Sequence, residues 1–282
     1  MSKALTICVM AIGFAWSAHW SPCLGRDKSA ASLLEAGFYS LYNFDFPEAQ
    51  HDFATWQASH PDDPVGFVAE ASGYIVGEFD RLGVLEIQFL IRDSSFQSKK
   101  KLSADPAIRA KFEDAVQHAE KKARERLAKD PRDRDALFAM TLAAGLRADY
   151  FALIDKSSIA SLRSADQART WGESLLAVDP NYYDAYLASG SGKYIVGSLV
   201  APVRWMLRLD GISGDRAEGI KELTLTAEKG NYLAPLARIL LAIAYLREKR
   251  PQEARRLLSS LHADFPRNPL FPKAIAKIDS SN

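Results

Sequence analysis

Protein chemistry usually rests on histidine, cysteine, paired carboxylates or an activated hydroxyl, and here those residues are few and scattered. The histidines are His19, His51, His60, His118 and His262. His51 and His60 lie nine apart with Asp52, Asp62 and Asp63 nearby, but no His-Glu-x-x-His or paired-cysteine pattern frames a metal. They read as polar residues at the end of a helix. Two cysteines, Cys8 and Cys23, cannot form a disulfide framework or a four-cysteine zinc site. The string Ser189-Gly190-Ser191-Gly192-Lys193 looks like a phosphate loop. Leu187 stands where its first glycine belongs, however, and Tyr194 stands where a magnesium-binding hydroxyl belongs. Its glycines read as points of close helix contact. Ser98 and Lys101 have a Ser-x-x-Lys spacing, but in a charged loop, and no Gly-x-Ser-x-Gly elbow occurs. The sequence predicts no catalytic residue, no metal and no cofactor.

Aromatic side chains are the better prospect, for binding rather than for reaction. Phe38, Tyr42, Tyr74, Phe138 and Tyr194 offer large apolar area, and the tyrosines add a hydrogen-bonding tip. Composition narrows the partner. With 36 basic and 35 acidic residues among 282, no basic excess is available to neutralise phosphates, so nucleic acid is not expected. A hydrophobic fraction of 48% is ordinary for a globular chain and excludes a disordered one.

The elements that would carry these side chains are helical. Apolar residues recur at spacings of three and four, as in Leu33, Leu34, Phe38 and Leu41, and Asp-Pro pairs stand where helices stop. The pattern predicts helices over 29–43, 46–59, 63–77, 79–92, 106–129, 133–152, 159–178, 182–198, 200–209, 215–229, 232–248, 251–264 and 268–279. One spacing repeats: a small residue, a core residue four later, and a proline eight beyond. It occurs as Ala49, Phe53, Pro61; as Ala119, Ala123, Pro131; as Ala168, Gly172, Pro180; and as Ala254, Leu258, Pro266. Leu223, Ala227, Pro235 is a weaker copy. Residues four apart share one helical face, a small one lets a neighbouring helix approach, and proline ends the unit. Gly37 and Ala242, twelve residues before Ala49 and Ala254, would be the matching close contacts on the preceding helices.

On these residues the chain resembles the tetratricopeptide repeat family, most clearly over Leu33 to Pro61 and Arg238 to Pro266. The resemblance implies an all-α, right-handed solenoid of antiparallel helix hairpins. It departs from the family in period, since the prolines are 70, 49 and 86 residues apart rather than the regular 34 or so. In that family the first helices line a concave groove for partner peptides. The resemblance therefore implies a non-catalytic scaffold or adaptor for a protein or peptide. Its candidate contact residues are Phe38, Tyr42, Glu70, Tyr74, Phe138, Tyr194 and Arg247. The alternative is a small-ligand or lipid binder whose irregular helices close an apolar pocket.

The N-terminus sets the compartment. Lys3 precedes an apolar stretch from Ala4 to Ala18, the form of an export signal, so residues 1–25 read as a leader and 27–282 as one solenoid domain with a basic loop near 93–105. In a bacterium, export would place the protein in the periplasm. A lipid or retained leader anchor is the alternative, with Cys23 the residue to carry it. After leader removal no segment is expected to span a membrane.

Overall fold

The computed structural model describes residues 32–86, 102–199, 201, 204–205 and 213–280. Among these the chain is all-helical. The helices are α1 (Leu33–Tyr42), α2 (Phe46–Ser59), α3 (Pro64–Arg81), α4 (Pro106–Leu127), α5 (Arg134–Leu153), α6 (Ser158–Val178), α7 (Tyr186–Ser198), α8 (Arg216–Lys229), α9 (Ala234–Arg247), α10 (Pro251–Asp264) and α11 (Leu270–Asp279), with a 3-10 turn at Tyr183–Ala185 before α7. Each helix packs chiefly on its sequence neighbours, giving the hairpins α1/α2, α3/α4, α5/α6, α7/α8 and α9/α10, with α11 against α10. The leader predicted for residues 1–25 lies outside the described residues, as does 93–101 of the basic loop.

Local chemistry sets the ends of these helices. Ser32 and Glu35 form a reciprocal capping box at the start of α1. Asp63, Asp105, Asp133 and Asp215 cap α3, α4, α5 and α8 by accepting from first-turn amides. The predicted break at residues 77–79 does not occur, because Gly77 is accommodated inside α3. That helix stops instead at Gly83, whose φ of +69° suits the left-handed position. The Val84 amide bonds to Phe79 O and the Gly83 amide to Asp80 O, and Val84 is buried like Phe79. Residues 82–86 are therefore a turn, not the start of the helix predicted over 79–92, whose remainder lies outside the described residues. The predicted helix 200–209 also falls mostly outside them.

The repeated spacing marks the second helix of every hairpin. Ala49, Phe53, Ala119, Ala123 and Ala254 are fully buried, and Ala168, Gly172 and Leu258 nearly so. Pro61, Pro131, Pro180 and Pro266 sit in the turns between hairpins. The weak copy deviates. Ala227 is only half-buried, Thr226 takes the buried place, and Pro235 lies inside the first turn of α9. Pitch within a hairpin depends on missing side chains. A Cβ on Gly37 would lie 2.4 Å from the Phe53 ring. A Cβ on Gly219 would lie 2.6 Å from the Tyr194 amide nitrogen, so α7 and α8 touch backbone to backbone.

The apolar core divides in two. One part joins α1 to α6 with Ala185 and Leu233, and the other joins Ala242 of α9 to α10 and α11. Tyr42 packs against both. That double role reflects a long-range contact: the chain returns on itself, and the fifth hairpin meets the first. Tyr42 donates its hydroxyl to Tyr232 O at 3.0 Å, and Asn268 Nδ2 donates to Tyr42 O at 2.9 Å. The Arg267 amide donates to Asn43 Oδ1, and its guanidinium pairs with Asp45 at 2.7 Å. Phe265 stacks beside Tyr39 and Tyr42.

Candidate functional site

This closure determines what becomes of the first-helix aromatics. Phe38 of α1 and Phe138 of α5 point inward and are buried. Between them stands Tyr232, from the turn preceding α9, with ring centroids 5.0 Å from Phe38 and 6.0 Å from Phe138. Tyr182, just before the 3-10 turn, completes the group at 5.3 Å from Phe138. Centroid separations of 4.5 to 7 Å are typical of favourable aromatic pairs. The inner aromatic surface is therefore occupied by the chain's own Tyr232 and Tyr182.

Asp184 fixes the Tyr232 turn. Its carboxylate, 3% exposed, accepts from the amides of Tyr232 and Leu233, each at 3.1 Å. Thr226 Oγ1 donates to Tyr183 O, tying the 3-10 turn that carries Asp184 to α8. Gly230 is required here, since a Cβ would sit 2.5 Å from Asp184 Oδ1. Burial pushes the Asp184 carboxyl up, against the opposing amide bonds. Burial likewise pushes Tyr42 and Tyr182 well above the ordinary tyrosine range. Tyr232 rises to about 12, from burial first and then from the negative charges of Glu35, Asp135, Asp184 and Asp63. The centre is thus an aromatic patch in an acidic frame.

The frame follows from helix polarity. Glu35, Asp63 and Asp135 all stand at the starts of first helices, where carboxylates complement exposed amides. Arg126 sits among them, paired with Asp133 at 2.7 Å and 3.7 Å from Asp135 and 3.9 Å from Asp63, and Arg134 stands beside Asp135, paired with Asp179. Beside Arg126 is an open cleft of about 430 Å³ lined by His60, Pro61, Asp62, Asp63 and Arg126. His60 stacks on Trp56 at 3.8 Å, and Trp56 donates to Asp63 at 2.7 Å. No group of three or more potential metal ligands occurs among the described residues.

The other candidate residues are dispersed. Glu70 and Tyr74 face the furrow between the second helices α2 and α4, not the inner surface. Tyr74 donates to Glu70 at 2.8 Å, Glu70 also accepts from Gln57, and Lys111 of α4 lies over the Tyr74 ring. Tyr194 is buried at the α7–α9 joint, donating to Ala244 O. The positive charge of Arg247 acts on Tyr194, which places the two together. The phosphate-loop look-alike is a helix crossing: Gly190 abuts Glu222 and Leu223 of α8, Ser189 donates to Glu222 at 2.7 Å, and Lys193 pairs with the same carboxylate.

Sequence reasoning missed Tyr182, Tyr232 and Asp184. A signal existed, since both tyrosines directly precede a first helix, in Asn181-Tyr182-Tyr183-Asp184 and Asn231-Tyr232-Leu233. Turn position alone does not say which side a ring faces. No protein-family model matches the chain, and no curated protein matches it.

Proposed function

We propose that the protein is a non-catalytic scaffold of tetratricopeptide-like, right-handed solenoid architecture, exported to the periplasm, that holds a protein or peptide partner. One observation carries this reading: aromatic side chains from α1, α5 and the turns before α7 and α9 converge within a frame of Glu35, Asp63, Asp135 and Asp184. Phe38 and Phe138 are covered, so the surface offered to a partner is the part of Tyr182 and Tyr232 left in solvent, and with the neighbouring carboxylates it favours a basic or aromatic segment, by cation–π attraction and by ion pairing.

The test is capture of partners from extract of the native compartment by the full chain. Tyr232→Ala combined with Asp135→Asn should lose capture while the helical circular dichroism persists. Capture unchanged by that pair would discard this surface.

The alternative reading is an apolar small-ligand binder. Mass spectrometry of the purified protein for a co-purifying lipid separates the two readings.

A further inference from the structure

Among the described residues five large apolar side chains stand exposed, and apart from Tyr39 of α1 they lie on α6, α7 and the segment after α7. Ile159 is 68% exposed, Leu162 36%, Ile195 58% and Trp205 66%. Ile159 and Leu162 lie in the first turns of α6, and Ile195 lies in the last turn of α7. The two helices run antiparallel, with Gly172 against Ala185 and Ala188. That register sets Ile195 level with Leu162, and Leu199 level with Ile159. Trp205 is seven residues past the end of α7, and its neighbour Arg204 donates back to Gly197 O.

The surrounding charge is positive. Arg163 and Arg204 are exposed, and Lys156 stands at the turn into α6. The nearby acids are engaged, Asp155 with Arg109, Asp166 with Arg169, and Asp215, beside Gly197, with the first-turn amides of α8. Two boundaries of the described residues lie near this end. Leu102 resumes there, with its amide bonded to Ile154 O, and Gly214 returns against Gly197. In sequence, 87–101 carries Arg92, Lys99, Lys100 and Lys101 against one acid, Asp93. The stretch 200–212 carries Arg204 and Arg208 against Asp210, among Val203, Trp205, Met206 and Leu207.

Large apolar side chains rimmed by arginine and lysine suit the interface of an anionic bilayer. There tryptophan and isoleucine enter the headgroup boundary while cations meet lipid phosphates. A second copy of the chain would present the same positive charge and be repelled. We propose that this end, defined by Ile159, Leu162, Ile195 and Trp205 with Arg163 and Arg204, docks the protein peripherally on an anionic membrane surface. The contact is additional to any leader or lipid anchor and is independent of the inner aromatic centre.

The experiment places an environment-sensitive fluorophore on the full chain. Cysteine replaces Ile159 or Ile195 in turn, with Cys8→Ser and Cys23→Ser to remove other thiols. Lys129→Cys, at the opposite end of the second helices, serves as control. Vesicles of phosphatidylethanolamine and phosphatidylglycerol carry nitroxide lipids; phosphatidylcholine vesicles are the neutral arm. Labels at 159 and 195 should shift to the blue and be quenched on the anionic vesicles. The effect should weaken as salt rises and on the neutral vesicles, while the label at 129 stays unquenched. Bound protein whose labels at 159 and 195 stay unquenched overturns the proposal, because the leader alone then holds it. Failure to bind the vesicles overturns it too, as does a blue shift that follows protein concentration without lipid, which would mark a second copy.

Discussion

The first and fourth hairpins solve one packing problem in two ways. In α1/α2, Gly37 yields its space to the ring of Phe53, so close approach brings a large apolar side chain into the core. In α7/α8, Gly190 and Gly219 bring backbone onto backbone, and a buried carboxylate, Glu222, bridges Ser189 and Lys193. The same small-residue rule thus produces an apolar joint in one place and a polar one in the other. The first can relax by moving a ring; the second has only main chain to move.

Gly219→Ala should therefore be the most damaging single substitution, lowering stability by about 3 kcal/mol or more, in the range of severe overpacking. Gly37→Ala should cost about 2 kcal/mol, and Phe53→Leu in that background should recover part of the loss. No side-chain change at Tyr194 should rescue Gly219→Ala, because the obstacle is the Tyr194 amide. Chemical denaturation of the four variants checks both statements, and equal rescue at the two sites would erase the distinction.

Charged joints give the next effects. The Glu78 carboxylate, nearly buried, accepts from the Arg81 guanidinium at 2.7 Å and from the Asp105 amide at 2.7 Å, locking α3 to the start of α4. The Arg81 guanidinium holds it below the usual carboxylate range despite burial, with the Asp105 amide helping. A carboxyl with a lowered folded-state pKa stabilises the fold above its unfolded value, and that contribution is lost as pH falls through the folded value. Glu78→Gln should cost about 2 kcal/mol near neutral pH. The difference from wild type should shrink below the unperturbed value of 4.5. A difference that stays constant to pH 3 or so would remove the ionic account. At the seam between the fifth and first hairpins, Arg267→Ala should cost only about 0.5 kcal/mol, since its pair with Asp45 is exposed and screened.

Much of the helical fold was legible because it is local. The recurring alanines and prolines located the second helix of each hairpin, and the prolines and Asp-Pro pairs placed several boundaries. Gly83 was misread because glycine inside a helical pattern and glycine ending it look alike until the Phe79–Val84 contact exists. The candidate site was less legible. Phe38 and Phe138 were identified as inner residues, but what covers them, Tyr232, comes from a turn 190 residues beyond Tyr42, to which it is hydrogen-bonded. Glu70 and Tyr74 lie on a first helix yet face the opposite way. A repeat spacing specifies neighbours; it carries no term for hairpin five meeting hairpin one.

That meeting is the central structural claim, because it turns the inner aromatic surface into a filled centre. Spin labels at Asp45→Cys and Arg267→Cys, in the Cys8→Ser, Cys23→Ser background, measure it directly. The structure requires one narrow, short-distance population in solution. A broad distribution centred at long distance would mean that the first and last hairpins stand apart and the groove is open.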